Sequence, residues 1–104
     1  MTGKVIPLKP SEMNPQTASQ IIREIAAETS RVVILDHARR RMRRRRISPT
    51  QVYSCIRMGV ITEGPSQDMK GYWRCTMQRL AAGEEITVVV SFNSRESLLV
   101  ITVY

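Results

Sequence analysis

Residues 37–46 read HARRRMRRRR, a single histidine followed by seven arginines with no acid among them. The chain has 16 Lys and Arg against 9 Asp and Glu, so the whole net charge of +7 resides in this stretch and the remainder is balanced. A solvated helix face ordinarily mixes signs, and seven guanidinium groups in eight positions repel one another unless anions screen them. The planar guanidinium also grips phosphate with two parallel hydrogen bonds. Arg39, Arg40, Arg43, Arg44, Arg45 and Arg46 are therefore the candidate nucleic-acid contacts. His37 is the only histidine of the chain. Its plain reading is a residue half-packed at a helix end; its chemical reading is a general base, because a neutral imidazole accepts a proton.

The C-terminal half offers fewer reactive side chains. Tyr72, Trp73 and Arg74 are consecutive, and strand alternation puts Tyr72 and Arg74 on one face with Trp73 on the other. Trp73, the sole tryptophan, is expected in the core, where a small domain needs large apolar volume. Arg74 and Arg79 differ in parity and should not act together. Thr102 and Tyr104 share a face, in residue types that ordinary strands also favour. Cys55 and Cys75 form no Cys-x-x-Cys pair and, with only His37 beside them, make a poor metal set. They are expected to be two buried, inert thiols, and neither a metal nor a cofactor is implied.

The elements that must position these residues follow from the pattern. Residues 1–15 hold Pro7, Pro10 and Pro15 without periodicity and read as an extended lead-in. Residues 17–30 form a helix capped by Thr17 or Ser19, with Ile21, Ile22, Ile25 and Ala26 in one apolar stripe. Arg31 to Leu35 is a short strand, and Asp36 stands at the N-cap of the arginine helix, whose Ala38 and Met42 face the core. Ser48-Pro49 starts a third helix that buries Val52, Cys55 and Ile56 and stops at Gly59. Strands follow over Val60 to Thr62, Gly71 to Leu80, Glu85 to Phe92 and Ser97 to Tyr104, with turns at Ala82-Gly83 and Asn93-Ser94. The last 89 residues, 16–104, thus make one α+β domain, with helices packed on a four-stranded, mostly antiparallel sheet. An apolar content of 42% over 104 residues supports one modest core and argues against disorder. No apolar run reaches membrane-spanning length and the N-terminus carries no signal-like stretch, so the expected location is cytoplasmic.

From Val32 to Tyr104 the order is a short strand, His37-Ala38-x-x-Arg41-Met42, Ile47-Ser48, a helix ending at Gly59, and a terminal Ile-Thr-Val-Tyr. This resembles an uncharacterised bacterial domain family related to the RelE and BrnT toxins, within the wider barnase–EndoU–colicin–RelE group. The resemblance leaves the helix over 17–30 outside, and the arginine run is far more basic than the Arg and Glu mix usual there. It implies a RelE-like fold and a metal-independent endoribonuclease site, with His37, Arg41, Arg74, Thr102 and Tyr104 at the matching places. It also implies RNA as the nucleic acid and an acidic, antitoxin-like protein as a second partner. The rival reading is a non-catalytic module that binds nucleic acid or an acidic protein surface as an inhibitor or regulator, as in small phage or mobile-element proteins.

Overall fold

In the computed structural model, which describes residues 10–104, helix formation starts at Asn14, not at Thr17 or Ser19. The Asn14 side chain accepts the Thr17 N–H at 2.8 Å, and Pro15, which lacks the N–H that a first turn leaves idle, is the first residue of α1 (Pro15–Ala26). The expected lead-in over 1–15 lies largely outside the described residues, and Pro10–Glu12 form a turn of 3-10 helix. α1 ends at Ala26, short of Ser30, and buries Ala18, Ile21, Ile22, Ile25 and Ala26, the stripe its spacing predicts.

β1 (Val32–Ile34) passes straight into α2 (Asp36–Arg45). Asp36 is the first helical residue and not the cap. The Leu35 N–H still bonds to Val100 in the sheet at 3.1 Å, while the Leu35 carbonyl accepts the Arg39 N–H at 2.9 Å, so Leu35 belongs to both elements. α3 (Pro49–Met58) opens with a reciprocal capping box: Ser48 Oγ accepts the Gln51 N–H and Gln51 Oε1 accepts the Ser48 N–H. It stops where Gly59 passes so close to the chain that a Cβ would stand 2.4 Å from the Cys55 carbonyl oxygen and 2.7 Å from that of Gln78.

Four further strands complete the chain: β2 (Val60–Gln67), β3 (Trp73–Ala81), β4 (Glu84–Phe92) and β5 (Leu98–Val103). The sheet has five strands in the order β1-β5-β4-β3-β2, antiparallel except for β1, which runs parallel to β5. The expected four strands are thus joined by a parallel edge: α2 and α3 carry the chain from β1 to β2 at the opposite edge, and the β2–β3–β4 meander brings it back as β5 alongside β1. β2 runs on to Gln67 through Gly64-Pro65, where the sequence suggests a stop. As an edge strand it tolerates the missing proline N–H, and two register shifts against β3 absorb the irregularity. The β3–β4 turn is Ala82-Gly83, with φ of 54° and 79°, the two-residue geometry that suits strand twist.

The core is one cluster on one side of the sheet. Trp73, Cys75 and Met77 of β3 and Val88, Val90 and Phe92 of β4 meet Ile21, Ile22 and Ile25 of α1 and Val52, Cys55 and Ile56 of α3. Val89, between two core valines, points to the other side, which no described helix covers. Arginines fasten α1 to α3: Arg57 Nε donates to the Ala26 carbonyl at 2.9 Å, and Arg23 Nε donates to the Arg57 carbonyl at 3.1 Å. Both cysteines are free and buried, and burial pushes Cys55 up to about 11, against a lowering by the Arg79 charge, and Cys75 up to about 12. They are therefore neutral thiols at neutral pH, poor nucleophiles and poor ligands.

Candidate nucleic-acid interface

Only Ala38 and Met42 of α2 are buried, four residues apart on one stripe. Every arginine from Arg39 to Arg46 other than Arg41 is exposed. Among the described residues the one ion pair is Arg31 with Glu28, 3.7 Å apart at the surface, so none of the seven arginines of this run is in ion-pair contact with an acid, although Arg45 and Arg46 share a cleft with Glu84 and Glu85. No arginine here is held by a carboxylate; two are held by backbone. Arg39 Nε donates to the Ile34 carbonyl at 3.1 Å, and Arg41 Nε donates to the Val103 carbonyl at 3.4 Å.

The second of these contacts fixes how α2 meets the sheet. Tyr104 exchanges backbone hydrogen bonds with Thr87, so by alternation the Val103 carbonyl points away from β4, toward the edge that the three-residue β1 leaves open. Arg41 fills that place. Its guanidinium also lies over the Tyr104 ring, 5.5 Å from the centroid, a cation–π arrangement. His37 is exposed and stands one helical turn before Arg41, on the same stripe of α2. Tyr104 itself is 45% exposed. Arg41 and Tyr104 therefore meet at one seam between α2 and the end of β5, with His37 one helical turn before Arg41.

The other two residues of the expected site do not join them. Arg74 lies on the uncovered face and pairs with Ser91, whereas Tyr104 is bonded to Thr87, one strand further across and four residues along β4. By strand spacing and rise their Cα atoms are roughly 16 Å apart. Arg74 is therefore not in contact with Tyr104 as Arg41 is. Thr102 shares the Tyr104 face by alternation, but its Oγ1 is buried and has no hydrogen-bond partner, so it does not present a donor to solvent.

Residues 34–104 match the family model described as Domain of unknown function (DUF4258). The chain belongs to this family. No curated protein and no solved structure matches the chain. The DUF4258 segment starts within β1 and holds the whole arginine helix, the seam and the remaining sheet, while α1 stands outside it. None of the described helices is long and apolar enough to cross a membrane.

Arg46 shows what the run costs. It follows α2 at φ 56°, in the left-handed region, with the Ile47 N–H closing on the Met42 carbonyl at 2.9 Å. Glycine is the usual residue at such a helix exit, and a side chain there costs on the order of 1 kcal/mol. Arg46→Gly is therefore expected to leave stability unchanged or raise it by up to about 1 kcal/mol in urea unfolding, while weakening binding to a polyanion. A clear loss of stability would show that the Arg46 side chain is a structural contact.

Proposed function

We propose that this DUF4258 domain binds RNA through the arginines of α2 and cleaves it at the α2–β5 seam as a RelE-type, metal-independent ribonuclease acting in the cytoplasm. The observation that carries the binding half is the unpaired charge: six arginines on an exposed ten-residue helix and a seventh at its exit, with no carboxylate of the described residues within ion-pair distance of any of them. Such an array is stable beside a phosphate backbone, where guanidinium contacts release condensed counterions.

The cleavage half is supported by the resemblance to the toxin group and by the contact of Arg41 with Tyr104, with His37 one helical turn before Arg41. In this reading His37 accepts the proton of an RNA 2′-hydroxyl. The freed oxygen attacks the adjacent phosphorus, and Arg41 offsets the charge that builds on the phosphorane. Tyr104 donates its phenolic proton to the departing 5′-oxygen, leaving a 2′,3′-cyclic phosphate. Arg74, on the uncovered face, serves a phosphate further along the strand. Thr102 orients the scissile phosphate only if its hydroxyl turns outward.

The engagement of Arg41 by the Val103 carbonyl and the separation of Arg74 favour a second reading, a non-catalytic module that binds nucleic acid, or an acidic, antitoxin-like protein, to inhibit or regulate it. One set of assays separates the two. Replacement of Arg39, Arg40, Arg43 and Arg44 by Gln is expected to weaken RNA binding and flatten its dependence on salt, with folding retained; unchanged affinity at two salt concentrations would defeat the binding reading. Incubation with total RNA in EDTA should give cleavage that falls roughly 10²–10⁴-fold in His37→Ala with affinity preserved. Binding without cleavage by the wild-type protein selects the non-catalytic module.

A further inference from the structure

The helix-facing side of β3 carries Trp73, Cys75 and Met77 and then one charged residue, Arg79. Its Nη1 is closed off from solvent and has no hydrogen-bond partner. Among the described residues no carboxylate stands within ion-pair distance of it. The nearest acid on that side of the hairpin, Glu84, instead accepts the Gln51 Nε2–H at 2.9 Å. Arg79 is half-buried as a whole, but this one donor stands idle where folded proteins ordinarily pair such groups. Beside it opens a cleft of about 200 Å³ between the start of α3 and the β3–β4 hairpin, lined by Thr50, Ser54, Ala81 and Ile86 with Arg79 and Glu84. Sites for whole small molecules run to roughly 300–1,000 Å³, so this one has room for a single functional group on a short stem.

We propose that this cleft is a binding site for a carboxylate on a short aliphatic stem, the chemistry of an acidic side chain or chain terminus of a partner peptide. The Arg79 guanidinium supplies the paired donors that a planar carboxylate matches, the Thr50 and Ser54 hydroxyls are further donors, and Ala81 and Ile86 form an apolar wall for the stem. The site uses no residue of α2 and stands apart from the RNA reading.

Amide chemical shifts of the ¹⁵N-labelled full chain, titrated with propionate and separately with inorganic phosphate, test it. Propionate should shift Thr50, Ser54, Ala81 and Ala82 saturably, equally in the wild type and in the variant whose Arg39, Arg40, Arg43 and Arg44 are Gln. Loss of RNA binding in that variant with propionate binding intact separates this site from α2. Arg79→Met should weaken propionate at least about tenfold, the loss of a charge-assisted pair, without loss of stability. Ser54→Leu, which fills the cleft and leaves Arg79 in place, should do the same. Shifts with phosphate but not propionate would overturn the carboxylate assignment. No saturable shift with either probe, or propionate binding that survives both substitutions, would overturn the site.

Discussion

A helix carrying six arginines, with a seventh at its exit, is held to this domain by two apolar side chains, Ala38 and Met42, and much of the remaining architecture answers that constraint. Two such residues bury little area, so α2 has little hydrophobic anchorage of its own. Backbone contacts make up for it. Leu35 is shared between sheet and helix, Arg39 returns to the Ile34 carbonyl, and Arg41 reaches the Val103 carbonyl at the strand edge beyond β1. The short parallel β1 matters for this reason: by ending after three residues it leaves the β5 edge that Arg41 covers. Two arginines of the run are engaged by backbone carbonyls, and the other five stand outward without a hydrogen-bond partner among the described residues.

Charge left unpaired occurs at two neighbouring places in the domain, in different forms. On α2 the guanidinium groups are solvated and mutually repulsive, a modest cost that a polyanion removes. At Arg79 the charge is partly desolvated and idle, a larger cost per residue. Arg46 adds a backbone cost at the helix exit. Features that lower stability and have no packing rationale concentrate where a protein meets something else. The two free thiols are the contrast: buried and neutral, they fill volume in the core.

Much of this was legible in the sequence, for identifiable reasons. The Ser48-Pro49 start, the Gly59 stop, the Ala82-Gly83 turn and the alternation of Val88, Val89 and Val90 are local signals whose causes lie within a few residues. The count of strands in the sheet was not local. Val32 to Ile34 becomes a sheet member only through pairing with Leu98 to Val100, more than sixty residues away, and β2 runs through Gly64-Pro65 because an edge tolerates it. The same limit governs the candidate site. Helical spacing sets Ala38 and Met42 on the buried stripe of α2, but strand parity gives only the face of Arg74, not its register. The Arg79 cleft was missed, although its signal was present: opposite parity to Arg74 meant a charge on the covered side of the sheet.

The central claim, that α2 is the polyanion-binding face, is tested most directly by titrating a short single-stranded RNA into the ¹⁵N-labelled protein and mapping the amide shifts. The account predicts changes centred on Arg39 to Arg46 and on Tyr104, reversed by added salt, with the Arg79 cleft unaffected. Shifts centred on the uncovered face around Arg74 and Thr76, with α2 silent, would contradict it.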